Sequence, residues 1–168
     1  MGSDIDVSAS DELEIVARLV LAAVVGGFVG LERELRGYPA GIRTLALVAI
    51  GAALFTQISQ LLGGNDRVAA QVVAGIGFIG AGLIFREGYT VRGITTAATI
   101  WAVAALGMAI GVELYIVAIA GAVLLFVVLE ASPLTRRFER AIAPKEEGLR
   151  RALARDDEHG DEAIKDED

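Results

Sequence analysis

The stretch Ile94–Leu129, ITTAATIWAVAALGMAIGVELYIVAIAGAVLLFVVL, decides the fold of this chain. Glu113 is its single acidic or basic residue. A run of about 18 or more apolar residues predicts a membrane-spanning helix, because each residue rises about 1.5 Å through a hydrocarbon core about 30 Å thick. The stretch therefore predicts two spans, at 94–110 and 112–129, joined tightly at Gly111. A helical hairpin that does not fully cross the bilayer is the alternative at this join.

Three further apolar blocks precede this stretch, and short charged patches separate them. The chain is 54% hydrophobic, which exceeds the roughly 45–50% of ordinary soluble domains. The blocks are too long and too continuous for a soluble domain, so we predict an all-α polytopic membrane bundle with five transmembrane helices. The three additional spans are predicted at 15–31, 44–62 and 68–85.

The charge distribution divides the chain into three predicted parts. Residues 1–14 form an acidic leader outside the cytoplasm, 15–131 form the transmembrane domain, and 132–168 form a charged, partly disordered cytoplasmic tail. The net charge of −7 arises mostly at the two ends. The absence of cysteine excludes disulfides and thiolate metal sites.

Arginines alternate between the two sides of the five-span arrangement. One side holds the loop 32–43, the loop 86–93 and the basic segment after residue 131, whereas the loop on the other side contributes only Arg67. Basic residues are retained on the cytoplasmic side of a membrane. We therefore expect a multi-pass protein of the cell membrane, with its amino terminus outside and its carboxyl terminus in the cytoplasm.

Arg18 is a charge inside the first predicted span. A charge at a helix centre costs roughly 2.5–3.5 kcal/mol on insertion scales, whereas one near a helix end can reach the headgroups. Glu14 precedes it by one turn, in the order that favours an i, i+4 ion pair. We interpret Arg18 as an interfacial anchor, and a functional charge within the membrane is the alternative.

Glycine is concentrated in the third span, where residues 75–80 read GIGFIG. The GxGxxG fingerprint of dinucleotide sites requires a preceding strand, but here the pattern lies inside an apolar span. Small residues let helices approach closely, so we predict helix packing at these glycines and at those of the first span. A helix break that exposes carbonyls to a cavity is the alternative. The predicted packing positions are Gly26, Gly30, Gly75, Gly77, Gly80 and Gly82.

Polar side chains cluster on one face of the second span. Gln60 follows Gln57 by three residues and Thr56 by four, toward the end of the span that lies near Gln71. Such groups must face protein or water rather than lipid tails. Hydrogen bonding between helices is one interpretation, and a small polar vestibule that faces outward is the other.

Thr95 and Thr96 open the fourth span directly after Gly93. Their hydroxyls are predicted to cap the free backbone donors of the helix start. A helix start beside Arg92 is also a ready anion site, which is the alternative interpretation.

The middle of every predicted span lacks Asp and Glu. Ion-coupled carriers place ionisable groups there, and a dehydrated Mg²⁺ ion would require carboxylate oxygens. The motifs of ATP-binding loops, metal hydrolases and nucleophilic triads are also missing. We predict no catalytic activity, no metal site, no cofactor and no nucleic-acid partner.

Four ordered motifs resemble the MgtC/SapB family of membrane proteins, and the resemblance covers about 19–129. They are GLERE at 30–34, AGIRT at 40–44, RVAAQVVAGIGFIGAG at 67–82, and VRGITTAA at 91–98 with Trp101. The polar residues that the resemblance marks in these motifs are Glu32, Arg33, Arg43, Thr44, Gln71, Arg92, Thr95 and Thr96.

The resemblance implies an inner-membrane protein linked to magnesium limitation and stress adaptation. In virulence-associated members it also implies survival inside host cells and restraint of ATP synthase. The implied partners are the lipid bilayer, a membrane complex such as ATP synthase, and further copies of the chain in a homo-oligomer. Longer members carry an ACT-like domain after the spans, for which residues 133–168 are too few and too acidic.

We therefore predict a homeostasis factor that regulates another protein through contacts between helices. A small channel or carrier for a cation such as Mg²⁺ is the alternative.

Overall fold

A computed structural model describes residues 8–64, 66–87 and 90–131 of the chain. The prediction of an all-α membrane bundle is confirmed, with one short β-hairpin added between two helices. Residues 1–7 and 132–168 lie outside the described residues, so the whole predicted tail and the first half of the predicted leader are not described. In chain order the elements are α1 Ala9–Leu35, α2 Ile42–Leu61, α3 Asp66–Ala81, β1 Phe85–Glu87, β2 Thr90–Arg92, α4 Ile94–Gly111 and α5 Tyr115–Glu130.

Helices α1, α2 and α4 form the centre of the bundle, because each of them packs against the other two. Helix α3 packs against α2 and α4. Helix α5 contacts this centre through Gly121, which lies against Leu106, and through the ring of Phe126, which is 5.8 Å from that of Phe28. The buried core side chains of the three central helices include Ala22, Val29, Leu45, Ala49, Ala53, Ile100, Val103 and Ile110.

Glycines allow the central helices to touch backbone to backbone. A Cβ atom at Gly26 of α1 would lie 2.5 Å from the carbonyl oxygen of Leu45 in α2. A Cβ atom at Gly107 of α4 would collide with the backbone of Ala49 in α2. In a membrane, such close approach gains the dispersion contacts that hold helices together.

Helix α1 starts with a capping box at Ser8. The Ser8 hydroxyl accepts a hydrogen bond from the backbone N–H of Asp11 at 3.3 Å, and the Asp11 carboxylate accepts one from the Ser8 N–H at 3.1 Å. This reciprocal pair satisfies two of the donors that a helix start leaves free. It explains why α1 begins six residues before the predicted span at 15–31.

Three helices end in the same hydrogen-bonded turn. At the ends of α1, α2 and α4, an N–H group bonds to the carbonyl five residues earlier and the preceding N–H bonds to the carbonyl three residues earlier. This Schellman motif requires a residue in the left-handed region. Gly37 and Gly63 supply it after α1 and α2, with φ of 73° and 99°, whereas Glu113 supplies it after α4 with φ of 65°.

The third helix ends earlier than its predicted span. Its predicted range, 68–85, is shortened because α3 ends at Ala81 and Phe85 already belongs to β1. The predicted charged loop at 86–93 is instead a two-stranded antiparallel hairpin that pairs Phe85 with Arg92. The fifth helix starts at Tyr115 rather than 112, because the turn after α4 occupies the residues between.

Within the part of the chain that the structure describes, three helices are long and apolar enough to cross a membrane, namely α1, α2 and α4. Helices α3 and α5 are apolar but have 16 residues each, which corresponds to about 24 Å. The chain divides into two compact units, residues 1–126 and 127–168, and the described part of the second is the end of α5. The division into leader, transmembrane domain and tail, and the side on which each part lies, stay predictions.

Candidate functional site

A buried arginine lies where the end of α1 meets the start of α4. Arg33 is only 2% exposed, and its Nη2 donates a hydrogen bond to the hydroxyl of Thr96 at 3.1 Å. The guanidinium carbon lies 3.6 Å from the ring centre of Tyr38, a cation–π contact that offsets part of the cost of burying the charge. Arg33 therefore ties α1 to α4 and also holds the loop that follows α1.

The two acidic residues next to Arg33 in the sequence, Glu32 and Glu34, each contact a different residue. One oxygen of the buried Glu32 lies 2.6 Å from Nε of Arg36, one turn further along α1. Glu34 accepts a hydrogen bond from the backbone N–H of Ile42 at 2.9 Å and so caps the start of α2 from outside that helix. Among the described residues, the second oxygen of Glu32 and Nε of Arg33 are buried without a hydrogen-bond partner.

A second charged cluster joins α1 to the turn between α4 and α5. Nη2 of Arg18 lies 3.0 Å from the carboxylate of Glu14 and 2.9 Å from that of Glu113. These three residues line a cavity of about 430 Å³ together with Tyr115. The predicted pair of Glu14 and Arg18 is confirmed, whereas the partner from the later turn was not predicted.

A long groove of about 820 Å³ separates α2 from α3. Arg67 and Gln71 are its polar lining residues, and they lie one turn apart near the start of α3. The remaining lining is apolar, and it comprises Leu47, Val48, Gly51, Ala52, Phe55, Val68, Val72, Gly75, Ile76 and Ile79.

Comparison with known proteins identifies the family of this bundle. The sequence profile of the MgtC family matches residues 19–138. The chain belongs to the MgtC family. It is a multi-pass membrane protein, as the apolar helices also indicate. The family resemblance drawn from the four motifs is thereby confirmed.

Curated relatives of this MgtC-family chain come from several bacteria. Protein MgtC of Brucella abortus (strain 2308) is 52% identical over 101 residues, covering 58% of this chain and 42% of the relative. YhiD of Escherichia coli (strain K12), whose name describes a candidate magnesium transporter, is 45% identical over 129 residues, covering 70% and 60%. The chain thus spans about half the length of the curated relatives it matches. No solved structure matches the chain.

The GLERE and AGIRT motifs of this MgtC-family chain meet at the end of α1 and the start of α2. A Cβ atom at Gly30 would lie 2.6 Å from the Cα of Ile42, so the two motifs touch through backbone. Arg43 and Thr44 are exposed in the first turn of α2. The motif GLERE therefore supplies the helix contact, the buried arginine and the cap of the next helix.

The VRGITTAA motif builds the junction of β2 with α4, but without threonine caps. Helix α4 follows Gly93, and no side chain caps its start. Thr96 instead accepts the hydrogen bond from Arg33, and Thr95 is exposed and accepts from Thr99 through its backbone carbonyl. The capping interpretation is wrong because the N-cap position is Gly93, which has no side chain, and both threonines lie inside the first turn of the helix. Arg92 is exposed at the end of β2.

The glycines of the RVAAQVVAGIGFIGAG motif differ in their surroundings. A Cβ atom added at Gly80 would lie 3.4 Å from the Cβ of Ala97 in α4, which is an ordinary packing contact. Gly82 lies against backbone carbonyls at the end of its own helix. At Gly75 and Gly77 an added Cβ would meet nothing within 4 Å in the described part of the chain. Helix packing at Gly75 and Gly77 therefore stays a prediction, and the packing helix would have to belong to another molecule.

The polar residues of α2 do not assemble with Gln71. Thr56 and Gln57 are buried, and their side chains bond to the carbonyls of Ala52 and Ala53 one turn earlier, at 2.8 and 3.4 Å. Gln60 is exposed, and Gln71 lines the groove on α3. The structure thus separates the residues of the predicted vestibule. Over the described ranges, no group of three or more His, Asp or Glu residues is placed to hold a metal ion.

Proposed function

We propose that this MgtC-family protein supports magnesium homeostasis as a membrane regulator, and that it binds a transmembrane helix of a target protein through α3. The observation that carries the proposal is the contrast between two sets of glycines. Gly26 and Gly30 of α1 and Gly107 of α4 are filled by the backbone of neighbouring helices, whereas Gly77 of α3 faces open space. A glycine inside a helix costs roughly 0.5–1 kcal/mol relative to alanine, so an unoccupied glycine is consistent with a contact made by another molecule.

Small residues surround Gly77 along the same stripe of α3, which we term the α3 outer face. Ala70, Ala74, Gly77 and Ala81 are three or four residues apart and all are exposed. A stripe with this spacing lies on one side of a helix, and it allows a second transmembrane helix to pack closely. The α3 outer face therefore has the shape that a partner helix requires.

The magnesium part of the proposal is supported by the relatives. The chain belongs to the MgtC family, and the matched YhiD protein carries a name that refers to magnesium transport. A regulator needs no ion path of its own. In keeping with this, Thr56 and Gln57 direct their hydrogen bonds to carbonyls of their own helix.

The test is whether bulk on the α3 outer face abolishes function while the protein still accumulates. Cells that lack their own copy and carry Gly77→Leu should grow no better than cells with an empty vector when magnesium is scarce. The matched control is Gly75→Leu, which places the same bulk on the other side of α3, where it lines the groove. That variant should restore growth, and both proteins should be present in the membrane at equal amounts. Full growth with both Gly77→Leu and Ala74→Leu would contradict the proposal.

A small cation channel is the second candidate, and the name of YhiD is the observation that favours it. Liposomes that contain the pure protein should show no Mg²⁺ influx above empty vesicles under an inward gradient. Influx that depends on the protein and disappears in Gln71→Leu would replace the regulator by a channel.

A further inference from the structure

Helix α5 is loosely attached to the rest of the bundle. Among the helices that the structure describes, α5 alone lacks an extended close approach of its backbone to another helix. Its contacts with the centre depend on side chains, since Cδ2 of Leu106 lies against Gly121 and the ring of Phe28 faces that of Phe126. Packing therefore does little to fix the angle between α4 and α5, and the turn that joins them matters more. The large apolar side chains of α5 that are more than half exposed include Ile116, Val117, Ile119, Val123 and Leu124.

That turn contains a residue in an unfavourable backbone conformation. Glu113 has φ of 65°, and it is the one non-glycine residue with positive φ in the described part of the chain. The corresponding turns after α1 and α2 use Gly37 and Gly63. A side chain crowds the backbone in the left-handed region, so glycine is the usual residue there. A residue held in such a conformation is best explained by what its side chain contacts.

The Glu113 side chain contacts α1. Nη2 of Arg18 lies 2.9 Å from Oε1 of Glu113, and the arginine side chain is only 15% exposed. Arg18 also contacts Glu14, but both of these residues belong to α1, so that pair joins no two elements. The pair of Arg18 and Glu113 is therefore the contact that fixes the turn to a helix of the centre.

We propose that Arg18 and Glu113 form a latch that sets the angle between α4 and α5. With the latch closed, Glu113 is held in the left-handed region and Gly121 lies against Leu106. When the ion pair breaks, the turn leaves that region, α5 moves away from α4, and Leu106 becomes exposed. The Glu113 side chain is 57% exposed, and partly exposed ion pairs are weak and screened by salt. The latch can therefore open.

Cysteine pairs can report the position of α5, because the chain contains no cysteine of its own. Leu106→Cys with Gly121→Cys places two thiols at the contact between α4 and α5. The rate at which they form a disulfide under mild oxidation, in native membranes, measures how often the two positions meet. Glu113→Gln should lower this rate about two- to fivefold, which corresponds to the loss of a partly exposed ion pair. Glu14→Gln is the matched control, and it should leave the rate unchanged.

A second cysteine pair separates the latch from general loss of structure. A Cβ atom added at Gly27 of α1 would lie 4.0 Å from the Cβ of Ala46 in α2, a separation that a disulfide can bridge. Gly27→Cys with Ala46→Cys therefore reports the centre of the bundle, and Glu113→Gln should not change its rate. An equal loss at both cysteine pairs would show that the ion pair supports the whole bundle, which would overturn the latch.

Exchange of the two charges and addition of salt complete the test. Arg18→Glu combined with Glu113→Arg should restore the rate at the α4–α5 pair, because the ion pair forms again in the opposite sense. In about 1 M salt, where charges are screened within about 3 Å, the parent rate should fall toward that of Glu113→Gln. An unchanged rate in Glu113→Gln, or an exchanged protein as slow as that variant, would overturn the proposal. None of these variants alters the α3 outer face, so the latch and the proposed function are tested separately.

Discussion

Arg33 and Thr96 form the hydrogen bond that joins two sequence motifs 63 positions apart. A guanidinium that is 2% exposed has no bulk water to replace a lost partner. Hydrogen bonds to charged groups contribute about 1.5–3 kcal/mol, and loss of one partner leaves the other with its full desolvation cost. The stability of the bundle should therefore depend on this one hydroxyl.

Replacement of Thr96 by valine should lower the free energy of unfolding by about 1.5–3 kcal/mol. The change keeps the shape of the side chain and removes the acceptor of the Arg33 hydrogen bond. Thr95→Val is the matched control, because its side chain is exposed and should cost less than about 0.5 kcal/mol. Thermal unfolding of both variants in detergent measures the difference. Equal stabilities would show that Thr96 is not an important partner of Arg33.

Some side-chain contacts could be predicted from the sequence, and others could not. The pair of Glu14 and Arg18 follows from helix spacing and could be predicted. The third member, Glu113, could not, because its contact depends on a left-handed turn that usually contains glycine. The role of Thr96 was missed for the same kind of reason, since its partner lies in a distant motif.

The apolar blocks predict which segments form helices, whereas local hydrogen bonds determine where those helices begin and end. The predicted spans 44–62 and 94–110 differ by at most two residues from α2 and α4. Helix α3 differs more, because Phe85 pairs with Arg92 in a short hairpin, which a count of charges does not reveal. The glycine motifs predicted close packing, but the spacing alone could not tell which glycines face the chain's own helices.

The close contact between α2 and α4 provides a prediction at this scale. Gly107→Ala should lower the free energy of unfolding by about 1–3 kcal/mol, because the new Cβ would collide with the backbone of Ala49. Gly51→Ala is the control within α2, where an added Cβ meets open space. That variant should be neutral or slightly more stable, since alanine is the better helix former. Unfolding midpoints in detergent give the comparison, and equal midpoints would contradict the close contact.

For the whole molecule, the charge distribution predicts how the chain is oriented across the membrane. The positive-inside distribution predicts that the α1–α2 loop faces the cytoplasm and that the turns after α2 and α4 face outward. The chain contains no cysteine, so single cysteines report position without interference. On intact cells, an impermeant thiol reagent should label Leu62→Cys and Leu114→Cys but not Pro39→Cys. Labelling of Pro39→Cys from outside would exclude the five-span orientation.

The unequal helix lengths have a consequence for the bilayer itself. Helices α3 and α5, at 16 residues each, are shorter than the hydrocarbon thickness that α1 can span with its 27 residues. A short apolar helix is accommodated by local thinning of the lipid around it, at a cost of fractions of a kcal/mol per Å of mismatch. We therefore expect the membrane to be compressed around α3 and around α5. Thin bilayers would favour this protein, and thick, ordered ones would tend to exclude it or drive its short helices toward other proteins.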